Sequence, residues 1–288
     1  MEGKSFDIEK STNFFEQTEI KKLTALVTSK SDIRLRIYDY RLAKETDLGF
    51  SIKSFLGGDS TLLNTGSGNN FIYEGDKLSE FNIVNFNSDT YKPLGGISKI
   101  THRLRELDNI GVSLKFKEIQ SKQFWMNLKM IDGDLPDILA YALLYRWIER
   151  EPSVYNVAKK LEELDPLNFY DGKVVEQKLY EYKLKKLLVE SAMGMTSETP
   201  WHGIYDATGG IIVAKKDGDV VCFHIYDFNL FREYLLNNTV FEQPSTGEDG
   251  DFPGTERQTT KTKKYYYGWL FEEHSKFKFK INLQIRFK

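Results

Sequence analysis

Residues 31–54, SDIRLRIYDYRLAKETDLGFSIKS, constrain the fold more tightly than any other part of the chain. Ile33, Leu35 and Ile37 alternate with Arg34, Arg36 and Tyr38, the period-2 pattern of a half-buried strand. A polar turn, Arg41 to Glu45, leads into a second strand, DLGFSIKSFLG. If Asp32–Asp39 and Glu45–Ser54 pair antiparallel, opposing Asp32 to Ser51 centres the turn between Arg41 and Leu42, inside the polar stretch. In that register Asp32 and Ser51 are neighbours, and Lys53 shares the face of Ser51.

An acid at the start of one strand, facing an X-x-Lys on the next, has the makings of a metal-dependent phosphodiesterase site. The carboxylate holds a divalent ion against a phosphate, and the lysine orients or activates water and offsets developing negative charge. A surface ribbon with solvated charges has the same pattern. Asp39 falls at the far end of the hairpin. Asp47 lies four residues before Ser51, roughly 13 Å away along an extended strand, too far to share the ion. Ser51 stands where a second acid is expected, so that carboxylate must come from elsewhere. Glu16 and Glu19, on a helix expected over about 13–27, and Glu74, after the Asn-rich loop, are the candidates.

Beyond the hairpin, GGDSTLLNTGSGNNFIY reads as an ordered loop with a short helix. Helices are expected over 96–110, 136–150 (Pro136 in the first turn) and about 174–193. From Gly210 the pattern turns to strands, with a hairpin in GGIIVAKKDGDVVCFHIYDF and a last strand in KFKFKINLQIRFK. The order suits a mixed α+β fold. We expect a catalytic core over 1–95, a helical part over 96–200 and a β-rich, DNA-contacting part over 201–288, packed as one unit.

Composition narrows the chemistry. One cysteine, Cys222, excludes an internal disulfide framework and a cysteine-rich zinc site, and its apolar strand predicts burial. Four scattered histidines argue against a zinc hydrolase. No stretch approaches the roughly 18 apolar residues of a membrane span, and the start, MEGKSFDIEK, lacks the apolar core of a signal peptide. A net charge of −2 speaks against a nucleic-acid partner only until its distribution is read. Acids gather in the 242–256 loop, whereas 260–288 carries eight basic residues against Glu272 and Glu273. Lys276, Lys278 and Lys280 alternate with Phe277, Phe279 and Ile281, so they form a row that can track phosphates, with Gln284 and Arg286 positioned to reach base edges. Asn64, Asn69 and Asn70 offer paired donors and acceptors from the loop. Lysines that protect a strand edge, and asparagines that serve turns, have the same sequence signature.

The segments KSDIRLRIYD, LGFSIKS, TLLN and NFIYE, LKMIDGDLPDILA, GMTSETPWHGIYDATGGIIVAKKDGDVVCFH, YLLNNTVFEQPST and KINLQIRF resemble the HpaII family of type II restriction endonucleases, from about residue 30 to the C-terminus. The resemblance implies a divergent PD-(D/E)XK nuclease core, a central mixed sheet flanked by helices, with a C-terminal β-rich DNA-binding part. Asp32 then corresponds to the family's acid, and Ser51-Ile52-Lys53 to its X-x-Lys. It implies Mg²⁺ as cofactor, with Mn²⁺ as a substitute, and double-stranded DNA as substrate, with CCGG the namesake's target. It further implies a homodimer, a cognate methyltransferase in the same cell, and a cytoplasmic place in a bacterium or archaeon. After Pro244-Ser245-Thr246 this chain has GEDGDFPG where a basic run is expected. A nicking or repair nuclease of the same core, and a non-catalytic DNA-binding module with a decayed metal site, are the rival readings.

Overall fold

The structure, a computed structural model, describes residues 31–40, 43–54, 60–76, 78–79, 81–90, 95–214, 219–224, 228–242 and 267–288. It is a mixed α+β fold, and its backbone contacts divide the chain into two compact units.

The first unit comprises residues up to 60, 192–194 and 204–231. Its sheet runs in the order β1 (Ile33–Asp39), β2 (Lys44–Ser54), β6 (Gly210–Ala214), β7 (Val220–His224). The β1–β2 pair is antiparallel with Ile33 opposite Phe50 and Asp39 opposite Lys44, the register that the position of the polar turn predicts. β2 runs parallel to β6, and β6 antiparallel to β7 across the expected second hairpin. Phe50, Ile211 and Val213 are buried, while Ile33, Leu35 and Ile37, expected on the buried face of a half-buried strand, are exposed because β1 is the edge strand of its sheet among the described residues. Cys222, expected to be buried, is exposed. It sits on the outermost strand of its sheet, where β7 has β6 on one side only among the described residues.

The second unit comprises 61–191, 195–203 and 232–288. Four antiparallel strands run in the order β5 (Lys115–Ile119), β4 (Asn70–Asp76), β10 (Lys276–Asn282), β9 (Leu270–Glu273). A second sheet has the order β3 (Thr61–Leu63), β11 (Gln284–Phe287), β8 (Thr239–Glu242). The last strand of the sequence is therefore two strands in different sheets, parted at Leu283, whose amide bonds to the carbonyl of Asn69. A 3₁₀ turn, Ser67–Asn69, provides the short helix expected in this loop.

The helices are α1 (Ile83–Asp89), α2 (Lys99–Asn109), α3 (Lys122–Ile131), α4 (Leu135–Ile148), α5 (Val154–Leu164), α6 (Leu179–Met193) and α7 (Phe228–Asn237). Ser98 and Ser121 cap α2 and α3, accepting from the amides of Thr101 and Phe124. Burial follows the helical period: Ile100, Leu104 and Leu107 on α2, then Phe124, Leu128 and Ile131 on α3. Around α4, Leu135, Ile138, Leu139, Ala142 and Leu143 are all buried, as suits a central core helix with Pro136 in its first turn. No described helix is long and apolar enough to cross a membrane.

Candidate active site

The first unit brings Asp32, Ser51 and Lys53 together. The amide of Asp32 donates to the carbonyl of Phe50 at 2.7 Å, which carries the β1–β2 ladder one residue past β1. The Asp32 carboxylate then folds onto the opposite strand, where Oδ2 accepts the Ile52 amide at 2.6 Å and the Ser51 hydroxyl at 3.3 Å. Both bonds fall on Oδ2, and no described residue donates to Oδ1. Ser51 is buried, 1% exposed.

Lys53 lies two residues on, level with the buried Val213 of β6. Burial lowers its amine pKa below the usual lysine value, and attraction from Asp32 opposes that shift. Desolvation wins, so the neutral amine is more accessible here than on a solvated lysine.

The strand geometry also fixes a glycine. A Cβ on Gly49 would sit 2.1 Å from the Asp206 carbonyl oxygen and 2.9 Å from Ser31 Cβ. The Gly209 amide donates to the Gly49 carbonyl at 2.6 Å, and the Gly49 amide donates to Thr208 Oγ1 at 3.2 Å. The backbone of 206–209 therefore lies directly against β2 beside the site. The sequence reading missed this role and that of the Ile52 amide; the only trace of the first is the glycine of LGFSIKS.

At the middle of the hairpin Asp47 pairs with Arg36 through two bonds, Nε–Oδ1 at 2.7 Å and Nη2–Oδ2 at 3.0 Å. The hydrogen bond from Arg36 holds the Asp47 carboxyl below its usual range. Asp47 is thus spoken for, and it stands four residues away from Ser51 along the strand.

Of the residues considered for the second carboxylate, Glu16 and Glu19 lie outside the described residues. Glu74, on β4 in the second unit, is held by Lys278 at 3.1 Å and Lys117 at 3.8 Å. Among the described residues no three His, Cys, Asp or Glu side chains converge as a metal centre. What is present, a carboxylate with one oxygen unbonded by described residues beside a hydroxyl, is an all-oxygen set of the kind a small hard cation takes.

The expected DNA-contacting residues are distributed through the second unit. Lys276 is exposed and paired with Asp76. Lys278 is buried between Glu74 and Glu273, the latter at 2.6 Å. Lys280 donates to Gln120 Oε1 at 3.1 Å and stands over the Phe271 ring. Asn69 and Asn70 are fully buried: the Asn69 amide group donates to the carbonyls of Asn64 and Leu283, and that of Asn70 donates to Gln120. Asn64 is exposed, and Gln284 and Arg286 are half-buried on β11.

A β-hairpin that holds an acid on the amide of an x-Lys dipeptide, in a mixed sheet where the lysine strand also runs parallel to a neighbour, is consistent with a restriction-endonuclease-like fold. The family model described as HpaII restriction endonuclease matches residues 1–287. The type II restriction enzyme HpaII of Haemophilus parainfluenzae is 33% identical over 285 residues, 99% of this chain and 72% of that protein. This chain belongs to the HpaII restriction endonuclease family and is a site-specific endodeoxyribonuclease. No solved structure matches it.

Proposed function

We propose that the enzyme is a Mg²⁺-dependent type II restriction endonuclease that hydrolyses both strands of a CCGG-like duplex site, with Asp32, Ser51 and Lys53 as its working residues. The observation that carries this reading is the Asp32 carboxylate docked on the Ser51–Ile52 strand, next to a lysine whose amine pKa is lowered by burial. Asp32, steadied on Oδ2, would hold the ion through Oδ1, with the Ser51 hydroxyl as a weak partner and a carboxylate from Glu16 or Glu19 completing the set. Glu74 is the third candidate, and would have to leave its two lysines. When bound, the metal supplies charge stabilisation at the phosphoryl oxygens and a more acidic water. Lys53 would orient the attacking water and, as a cation, offset the negative charge that develops on the phosphate. Mn²⁺ substitutes for Mg²⁺.

The same reading takes the enzyme to work as a homodimer, since two cuts on opposite strands call for two sites related by a two-fold axis. It places a cognate methyltransferase in the same cell and assigns DNA contacts to Asn64, Gln284, Arg286, Lys276 and Lys280, while Lys278, buried between Glu74 and Glu273, is left to structure. Asn69 and Asn70 contribute by shaping the loop. The three-part division at residues 95 and 200 is part of this proposal.

Digestion of a plasmid of known sequence with Mg²⁺, followed by mapping of the ends, tests it. Linear product with ends at one recurring sequence is expected. Open-circular product alone would replace this reading with a nicking enzyme, and binding without cleavage in Mg²⁺ or Mn²⁺ would leave a non-catalytic module.

A further inference from the structure

We infer that Arg34 is a phosphate-binding residue that holds the DNA backbone beside the scissile bond; this rests on the hairpin being the catalytic site. Arg34 follows Asp32 by two residues, so its side chain leaves the same face of the sheet, about 6.6 Å along the strand. A backbone held at Asp32 therefore has its neighbouring phosphate within reach of the guanidinium.

The register distinguishes this arginine from the next one. Arg36 stands opposite Asp47 and is bound by it through two bonds. Arg34 stands opposite Gly49, which has no side chain to offer. Nor can a carboxylate be placed there, because the Asp206 carbonyl and Ser31 Cβ occupy the space a Cβ would need. Asp47 does attract Arg34, but its two oxygens are already taken by Arg36.

Arg34 is exposed, and it forms no ion pair with a described residue. Its one hydrogen bond to a described residue runs from Nε to Ser31 Oγ at 3.3 Å. Ser31 is nearly buried and immediately precedes Asp32, so this bond turns the guanidinium toward the Asp32 end of the strand. The fork formed by its two terminal nitrogens then matches the non-bridging oxygens of a phosphate.

Arg34→Ala, Arg34→Lys and Lys53→Ala proteins should be compared with the parent for binding to the mapped cognate duplex. Fluorescence anisotropy would be read across a salt series with Ca²⁺ in place of Mg²⁺, the duplex being checked for integrity on a gel. Arg34→Ala is expected to weaken binding by about tenfold at the lowest salt and to shallow the log–log salt slope by about 0.9 per protomer, about 1.8 for a dimer with one phosphate contact in each half. The loss should be the same on cognate and one-base-altered duplexes, because a phosphate carries no sequence information. Arg34→Lys should restore the slope without the full affinity. Replacing single phosphates by uncharged methylphosphonates should find one position in each half-site at which the parent loses affinity and Arg34→Ala loses no more. An unchanged slope, a loss confined to the cognate sequence, or losses that add at every position would overturn the assignment. Lys53→Ala separates the two claims. If it cleaves normally the hairpin is not the active site, whatever Arg34 does; if it binds with the parent's slope and does not cut, the hairpin reading stands and Arg34 is judged on its own slope.

Discussion

Gly49→Ala puts one methyl group into a close backbone contact of the candidate-site hairpin. The new Cβ would lie 2.1 Å from a backbone oxygen, that of Asp206, and 2.9 Å from Ser31 Cβ. Backbone cannot swing aside as a long side chain does, so either the 206–209 segment or β2 must move by about 1 Å to restore van der Waals distance. Overpacking of this kind costs about 1–3 kcal/mol, and the loss of glycine's freedom in the unfolded chain returns less than about 1 kcal/mol. For a chain of this size each kcal/mol lowers Tm by about 2–4 °C, which predicts a fall of a few degrees. Activity should suffer more than stability. Ser51 and Ile52 lie two and three residues beyond Gly49, and a shift of that size in the strand moves the donors that hold Asp32. A displacement of about 1 Å at a reacting centre can cost about a hundredfold in rate. The assay is single-turnover cleavage of the mapped site at a temperature where both proteins are folded by circular dichroism, beside a thermal melt. A variant with the parent's Tm and the parent's rate would refute the reasoning. A variant that melts early yet cuts at the full rate would refute the link from strand position to catalysis.

Lys53→Met removes a buried charge while keeping the stem. Because the folded-state amine pKa is lowered, the charged amine costs stability below that pKa, and the cost disappears as pH rises to the usual lysine value of about 10.4. The methionine protein should therefore be the more stable of the two at neutral pH in denaturant titrations, by a margin that narrows toward pH 10. Arg103→Met should destabilise strongly, by about 3 kcal/mol in urea unfolding. Arg103 is fully buried, bonds the carbonyls of Gly268 and Asn87 and the Thr90 hydroxyl, and stacks on Trp269. Lys278→Met should lower Tm by leaving Glu74 and Glu273 without their shared cation, whereas Lys276→Met, exposed at the end of the same strand, should leave Tm within about a degree.

The hairpin was legible because everything that defines it is local. Alternation along residues 32–39, a polar turn and the position of Lys53 give the strand pairing, and the structure has that register. The C-terminal lysines show where such reading stops. Alternation correctly sets Lys276, Lys278 and Lys280 against Phe277 and Phe279, but whether a lysine faces water depends on strands far away in sequence. β10 lies between β4 and β9, whose Glu74 and Glu273 enclose Lys278. Asn69 and Asn70 repeat the lesson: a Gly- and Asn-rich stretch reads as a loop, yet it leads into β4, where Phe71 and Tyr73 are wholly buried and the asparagines satisfy neighbouring backbone and side-chain groups. Helices α3 and α5 went unread although each has a buried stripe, because lysines and glutamates interleaved with short apolar runs dilute the period. The close approach of 206–209 to Gly49 links residues about 160 apart, and no local pattern records it.

The central claim is that Lys53, beside Asp32, serves the chemical step rather than DNA affinity. Single-turnover cleavage and equilibrium binding of one mapped duplex by Lys53→Ala test it together. The account predicts cleavage reduced by at least about a hundredfold with affinity within a few-fold of the parent. Cleavage at the parent's rate by the folded variant would contradict it.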